Sequence, residues 1–211
     1  MTQRAPNPQR RSARSQAAIL KAAYELCQQQ GYARLTIEGI AARAGVGKQT
    51  IYRWWPSKGA VLLDIFVDQI VARLDAVGTG RPLDDLRRRV HVTAEVLADE
   101  TIGPHIAGLV GDAQGDPVLA NELQERLVAP ARAQHQELIR AAQDRGELRA
   151  DIDVDLMADA VFAPLWFRLL VTKAELSPKF ADDIVDTVLS GRADVQARGP
   201  HRSPPTGPAG S

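Results

Sequence analysis

Residues 31–63 read GYARLTIEGIAARAGVGKQTIYRWWPSKGAVLL. Thr36 is placed to cap a helix that turns Ile37, Ile40 and Ala41 inward and reaches Ala44. Gly45 then supplies a tight turn, since glycine accepts positive φ without steric cost. A third helix is predicted from about Gly47 to Trp55. Pro56 stops it, because the residue before a proline is pushed out of the α region. Ser57 caps the next helix. Two short helices about a glycine turn, with another helix following at once, form a helix-turn-helix.

Upstream, Ile19, Leu20, Ala23, Leu26 and Cys27 lie on one stripe of a helix from Ser12 to Gln30, stopped by Gly31. Residues 1–11 carry prolines and arginines without periodicity and read as a mobile basic arm. Downstream, the fourth helix runs through Ile65, Phe66, Ile70 and Leu74 to Gly78, and no strand pattern follows. Leu83, Leu86, Val90 and Leu97 mark a fifth helix, and Ile102, Ile106 and Leu109 a short sixth. Asp116-Pro117 opens a long seventh that ends near Gly146, with Pro130 expected to kink it. An eighth is read from about Asp153 to Val171, and a ninth from Ser177-Pro178 to Ser190. Residues 191–211, rich in Gly and Pro, are expected to be a disordered tail. The fold class is all-α, with about nine helices. A helix-turn-helix domain at 12–59 precedes a helical bundle at 60–190.

The 211 residues balance 26 Lys/Arg against 26 Asp/Glu, but not evenly along the chain. Residues 1–59 hold ten basic and two acidic side chains, leaving sixteen basic against twenty-four acidic for the rest. Such asymmetry points to a nucleic-acid contact at the N-terminal end, or to charges that merely cluster on solvated faces. One cysteine, Cys27, excludes an intrachain disulfide framework and suits a reducing cytosol. No apolar run approaches the ~18 residues of a membrane span, and no signal-peptide pattern opens the chain. A cytoplasmic protein with no membrane association is expected.

On the third helix, Ile51 and Trp55 face inward with Val46, which leaves Lys48, Gln49, Thr50, Tyr52 and Arg53 on the other side. Gln49 and Arg53 are four apart and point the same way. Gln pairs bidentately with adenine and Arg with guanine in a major groove, so these two are the candidate base readers. Lys48, Thr50 and Tyr52 suit phosphates. Lys58 sits in the first turn of helix four, where the helix dipole disfavours a cation unless a phosphate binds the free N–H groups there. The alternative for Lys58 is a solvated side chain.

The segment from Ala17 to Leu63 resembles the DNA-binding domain of the TetR family of transcriptional regulators. The Gly-Tyr after helix one, the Thr opening helix two, Ile-Ala-Ala-Arg-Ala-Gly-Val and Tyr-x-x-Trp-x-x-Ser-Lys carry the resemblance. It implies DNA contacts at Thr36, Lys48, Gln49, Tyr52, Arg53, Trp54 and Lys58. Where many relatives carry a Tyr-His-Phe run, this chain has Arg53-Trp54-Trp55, so Trp54 either touches a phosphate or packs against helix four. The resemblance also implies a homodimer on double-stranded DNA, released from a palindromic operator by a small-molecule effector. The alternative is a helical module that binds DNA non-specifically or binds protein, without an effector.

Helix eight, DVDLMADAVFAPLWFRLLV, is apolar on nearly every side and needs more than one neighbour to bury it. Pairing helices eight and nine with a symmetry mate supplies such neighbours, with Leu165, Leu169, Phe180, Ile184 and Val188 as the expected dimer contacts. Phe162 and Trp166 share one face and, with His105, Ile106 and Leu109, either wall an effector pocket or are plain core. No cofactor, metal or catalysis is expected. The four histidines lack metal-ligand spacing, and each reads as a surface or satisfied core residue. Gly45–Thr50 departs from a phosphate loop, Asp151, Asp153 and Asp155 depart from a calcium loop, and no nucleophile elbow is present.

Overall fold

The computed structural model describes residues 8–75 and 78–190, and every regular element among them is helical. Helix α1 spans Pro8–Gln30, α2 Ile37–Ala44, α3 Lys48–Tyr52 and α4 Lys58–Asp75. Helix α5 spans Pro82–Ala98 and α6 Gly103–Ala113. Helix α7 is composite, Pro117–Leu123 and Ala129–Asp144 joined by a π turn at Gln124–Val128. Helix α8 is Val154–Phe167 extended by a π turn at Arg168–Thr172, and α9 is Pro178–Ser190. The nine runs follow the order predicted. Residues 1–7 of the expected arm and the expected tail at 191–211 lie outside the described residues.

The ends of these helices follow local chemistry. Gly31 (φ 80°) closes α1, and its N–H donates to Cys27 O at 2.8 Å. Thr36 Oγ1 accepts from the Gly39 N–H at 3.0 Å, Asp116 caps α7, and Asp153 caps α8 through the Leu156 N–H. Gly45 is left-handed (φ 68°, ψ 34°) as the turn requires.

Two boundaries differ from expectation, and the break expected at Pro130 takes the form of a π turn. Helix α1 already includes Pro8, the first described residue, rather than beginning at Ser12. Helix α3 stops at Tyr52, three residues early, although Trp54 and Trp55 N–H groups still donate to Ile51 O. Pro130 has no N–H to give the carbonyl of Arg126, and the widened π turn lies at that place in α7.

One apolar core runs through the described residues. Ile19, Ala23 and Cys27 of α1 meet Ile37 and Ile40 of α2, then Ile51, Trp55 and the buried side of α4. Helix α5 packs on α4, α7 and α9, and α7 packs on α8. The small N-terminal head joins this body by close approach. A Cβ on Gly108 of α6 would stand 2.5 Å from Tyr32 Cδ1, and one on Gly59 of α4 2.5 Å from Leu119 Cδ2. Tyr32 Oη donates to Asp112 Oδ2 at 2.7 Å, and Trp55 Nε1 to Asp64 Oδ2 at 2.6 Å. Among the described residues no helix is long and apolar enough to cross a membrane.

Candidate nucleic-acid interface and ligand cavity

Burial of Ile51 and Trp55 fixes the rotation of α3, and with it what the helix shows to solvent. Lys48, Gln49, Tyr52 and Arg53 are exposed together, with Thr36 beside them on α2. Thr50 and Trp54 are half-buried. Lys48 Nζ lies 2.9 Å from Glu38 Oε1, bracing α3 on α2, and the Arg53 guanidinium lies 4.3 Å from the Trp54 ring centroid. Trp54 itself meets Trp55 edge-on at 5.7 Å. Trp54 thus serves as a platform under Arg53, a role the sequence did not suggest.

The Lys58 side chain turns inward in this structure. Its ammonium sits 4.4 Å from the Tyr32 ring centroid, 3.4 Å from Tyr32 O and 3.7 Å from Asp112 Oδ2. In this conformation it ties the head to α6 instead of pointing outward. Burial first, and then the bond to Asp112, push the Tyr32 hydroxyl far above its ordinary value, so it remains a donor.

The body holds an apolar cavity of about 350 Å³. Ile70 and Leu74 of α4 form one wall, Val96 and Leu97 of α5 and Ile106 of α6 another, and α7 and α8 close it with Leu127, His135, Phe162 and Trp166. Of the five expected pocket residues, Ile106, Phe162 and Trp166 line it. His105 and Leu109 do not. One turn apart on α6, they face α4, His105 stacking on Phe66 at 5.9 Å and Leu109 lying by Gly59. Burial holds His105 below the ordinary histidine value.

The sequence reads His135 as a surface or satisfied core histidine, and it is neither. It is buried, its ring lies 3.5 Å from that of Phe162 with 7° between planes, and its Nε2 has no hydrogen-bond partner. Burial, aided by the nearby Arg89 guanidinium, lowers its pKa to about 3, so the ring is neutral. At the rim, Arg132 pairs with Asp155 and Asp159, each at 3.1 Å. Spacing alone could not reveal this site, because its residues come from five helices.

The expected dimer contacts fall into two groups. Leu165 and Ile184 are buried in the protomer's own core, and Leu169, Phe180 and Val188 are half-buried against it. What α8 turns outward is another stripe, Leu156, Ala160, Ala163, Phe167 and Val171, all exposed. The mostly apolar composition of α8 hid which side its neighbours would take.

Residues 19–65 match the sequence profile of bacterial regulatory proteins of the tetR family, and residues 76–188 match that of the tetracyclin repressor-like C-terminal domain. The chain is 35% identical over 174 residues to the HTH-type transcriptional regulator YdeS of Bacillus subtilis, covering 82% of this chain and 87% of that one.

The chain belongs to the TetR family of transcriptional regulators.

The DNA-binding transcriptional repressor TetR of Mycobacteroides abscessus is 28% identical to this TetR-family chain over 184 residues, 82% of this chain and 90% of that one. The crystal structure of the TetR-family regulator SCO0332 superposes with a TM-score of 0.69 at 33% identity, covering 84% of this chain and 97% of that one. Thermus thermophilus FadR, a TetR-family repressor in complex with lauroyl-CoA, shares the fold with a TM-score of 0.69 at 24% identity, covering 90% of this chain and all of the other. The family's members are regulators rather than enzymes, and so is this one.

Proposed function

We propose that this TetR-family regulator is a ligand-responsive repressor, acting in the cytoplasm as a homodimer on a near-palindromic operator and released by a small molecule in the α4–α8 cavity. One observation carries the reading: α4 belongs to both halves. It begins at Lys58, where the head is pinned to α6, and ends with Ile70 and Leu74 in the cavity wall. A ligand that repositions the wall acts directly on the head. Coupling of ~1–3 kcal/mol corresponds to a 5–150-fold change in operator affinity. FadR of Thermus thermophilus holds lauroyl-CoA within the same fold, which supports a ligand in the body.

Gln49 and Arg53 are assigned to base edges, and Thr36, Lys48, Thr50 and Tyr52 to phosphates, with Trp54 supporting Arg53. The exposed stripe on α8 repeats at intervals of four and three residues, the spacing of a helix–helix seam, and is assigned to the two-fold interface. Such a dimer presents its recognition helices about 34–36 Å apart, or a multiple of that. Selection of bound sequences from a random duplex pool tests the whole: a palindrome is expected. Binding of every duplex alike at low ionic strength would refute operator recognition.

A further inference from the structure

We propose that the cavity is completed by a second copy of the chain: the partner subunit, seated on the α8 stripe, closes the cavity's mouth, so that ligand binding and pairing strengthen each other. The inference rests on the two-fold assignment of that stripe above and adds what the partner does there.

The lining shows where the cavity opens. Its α4 and α6 sides, Ile70, Leu74 and Ile106, are buried. Its exposed members are Asp159 and Ala163 of α8, and across from them on α7 stand the half-buried Ala131 and Arg132. Arg132 spans the gap, its Nε lying 3.1 Å from Asp159 Oδ1. The mouth is therefore the groove between α7 and α8, with Ala163 on its lip.

Ala163 is also the middle member of the exposed stripe Leu156, Ala160, Ala163, Phe167 and Val171. Whatever covers the centre of the stripe also covers that lip. Of the five large apolar side chains exposed among the described residues, three, Leu156, Phe167 and Val171, stand on this stripe, which marks it as a contact surface. A second α8 fits it. Paired antiparallel about its centre by a two-fold axis, the stripe matches itself, Leu156 against Val171 and Phe167 against Ala160. The small side chains of Ala160 and Ala163 leave room for the ring at the ~8–10 Å separation usual for packed helices. Phe167 of the partner subunit then lies beside Ala163, over the mouth. An apolar ligand in a lone subunit keeps one side in water at this opening. Covering a further ~55 Å² of it corresponds to about tenfold in affinity.

Two measurements on the full chain test this against the monomer expected from Leu156→Lys/Phe167→Lys, whose replaced side chains lie outside the lining. The fluorophore N-phenyl-1-naphthylamine should bind the native dimer about tenfold more tightly than the monomeric variant. By reciprocity, it should lower the concentration at which the native chain dimerises. Diluting the native chain through its dimer dissociation constant should weaken the dye by the same factor, which separates loss of the partner from any effect of the lysines. The second measurement needs no dye. A thiol introduced by Asp159→Cys should react with N-ethylmaleimide about tenfold more slowly in the dimer than in the monomeric variant, since thiol chemistry depends on access. Asp159 lies beside the stripe and not on it, and the native Cys27 is buried. Equal dye affinities or equal thiol rates overturn the proposal and leave the dimer standing. A chain that sediments as a monomer at every concentration sinks the two-fold assignment, and this proposal with it.

Discussion

Replacing Gly108 by alanine should break the joint between head and body. The new Cβ would lie 2.5, 2.8 and 3.1 Å from Tyr32 Cδ1, Cγ and Cβ, where carbon pairs prefer ~3.5–4.0 Å. Tyr32 cannot swing away cheaply, being held by Asp112 at one end and covered by Lys58. Overpacking of this kind costs ~1–3 kcal/mol, against a helix-propensity gain of up to ~1 kcal/mol for Gly→Ala. Gly111, also on α6, has nothing within 4 Å of its Cβ position, so Gly111→Ala should show the gain alone. Urea denaturation of Gly108→Ala in the native and Tyr32→Ala backgrounds isolates the clash. The two effects should differ by ~1–3 kcal/mol, with the substitution less destabilising once the ring is gone. Equal effects in both backgrounds would show that the ring contact does not limit this site.

Gln49→Ala and Arg53→Ala should each lose ~1–3 kcal/mol of discrimination between operator and random duplex, read by fluorescence anisotropy. Lys48→Ala should weaken both duplexes alike and lower the salt slope by ~0.9. Asp85 accepts from Thr79 N–H, Thr79 Oγ1 and Gly80 N–H at 2.6, 2.7 and 3.1 Å. Burial raises its carboxyl, but those bonds outweigh burial and lower it. Its stabilisation is therefore full above the unfolded value and lost as pH falls through the folded one, so the deficit of Asp85→Asn at pH 7 should shrink below about pH 4. His135 takes its proton near pH 3 when folded and near 6.5 when unfolded, so stability should fall as pH drops between those values, and fall less in His135→Phe. Sedimentation should show Leu156→Lys/Phe167→Lys as a monomer, whereas the unsubstituted chain is expected to be a dimer.

The head was legible because its signals are local. Thr36, Gly45 and Pro56 each act within a turn of themselves, and the inward Ile37, Ile40 and Ile51 fix which sides remain for DNA. The cavity was half legible: Ile106, Phe162 and Trp166 were in view, but His105 and Leu109 share a helix with Ile106 and differ only in rotation, which packing decides. Leu165 and Phe167 are two residues apart on α8, one buried and one exposed, and nothing in their apolar character says which is which. Lys58 shows the same limit for charge, since Asp112, its partner, lies 54 positions away.

The 18 residues of α4 make a rod of about 27 Å. Pivoting it by about 5° at its far end swings the near end through about 2 Å, and a two-fold mate doubles the divergence to about 4–5 Å. That exceeds the 3.4 Å step from one base pair to the next. In the proposed dimer, a ligand too small to touch the operator would thus throw both reading heads out of phase with it.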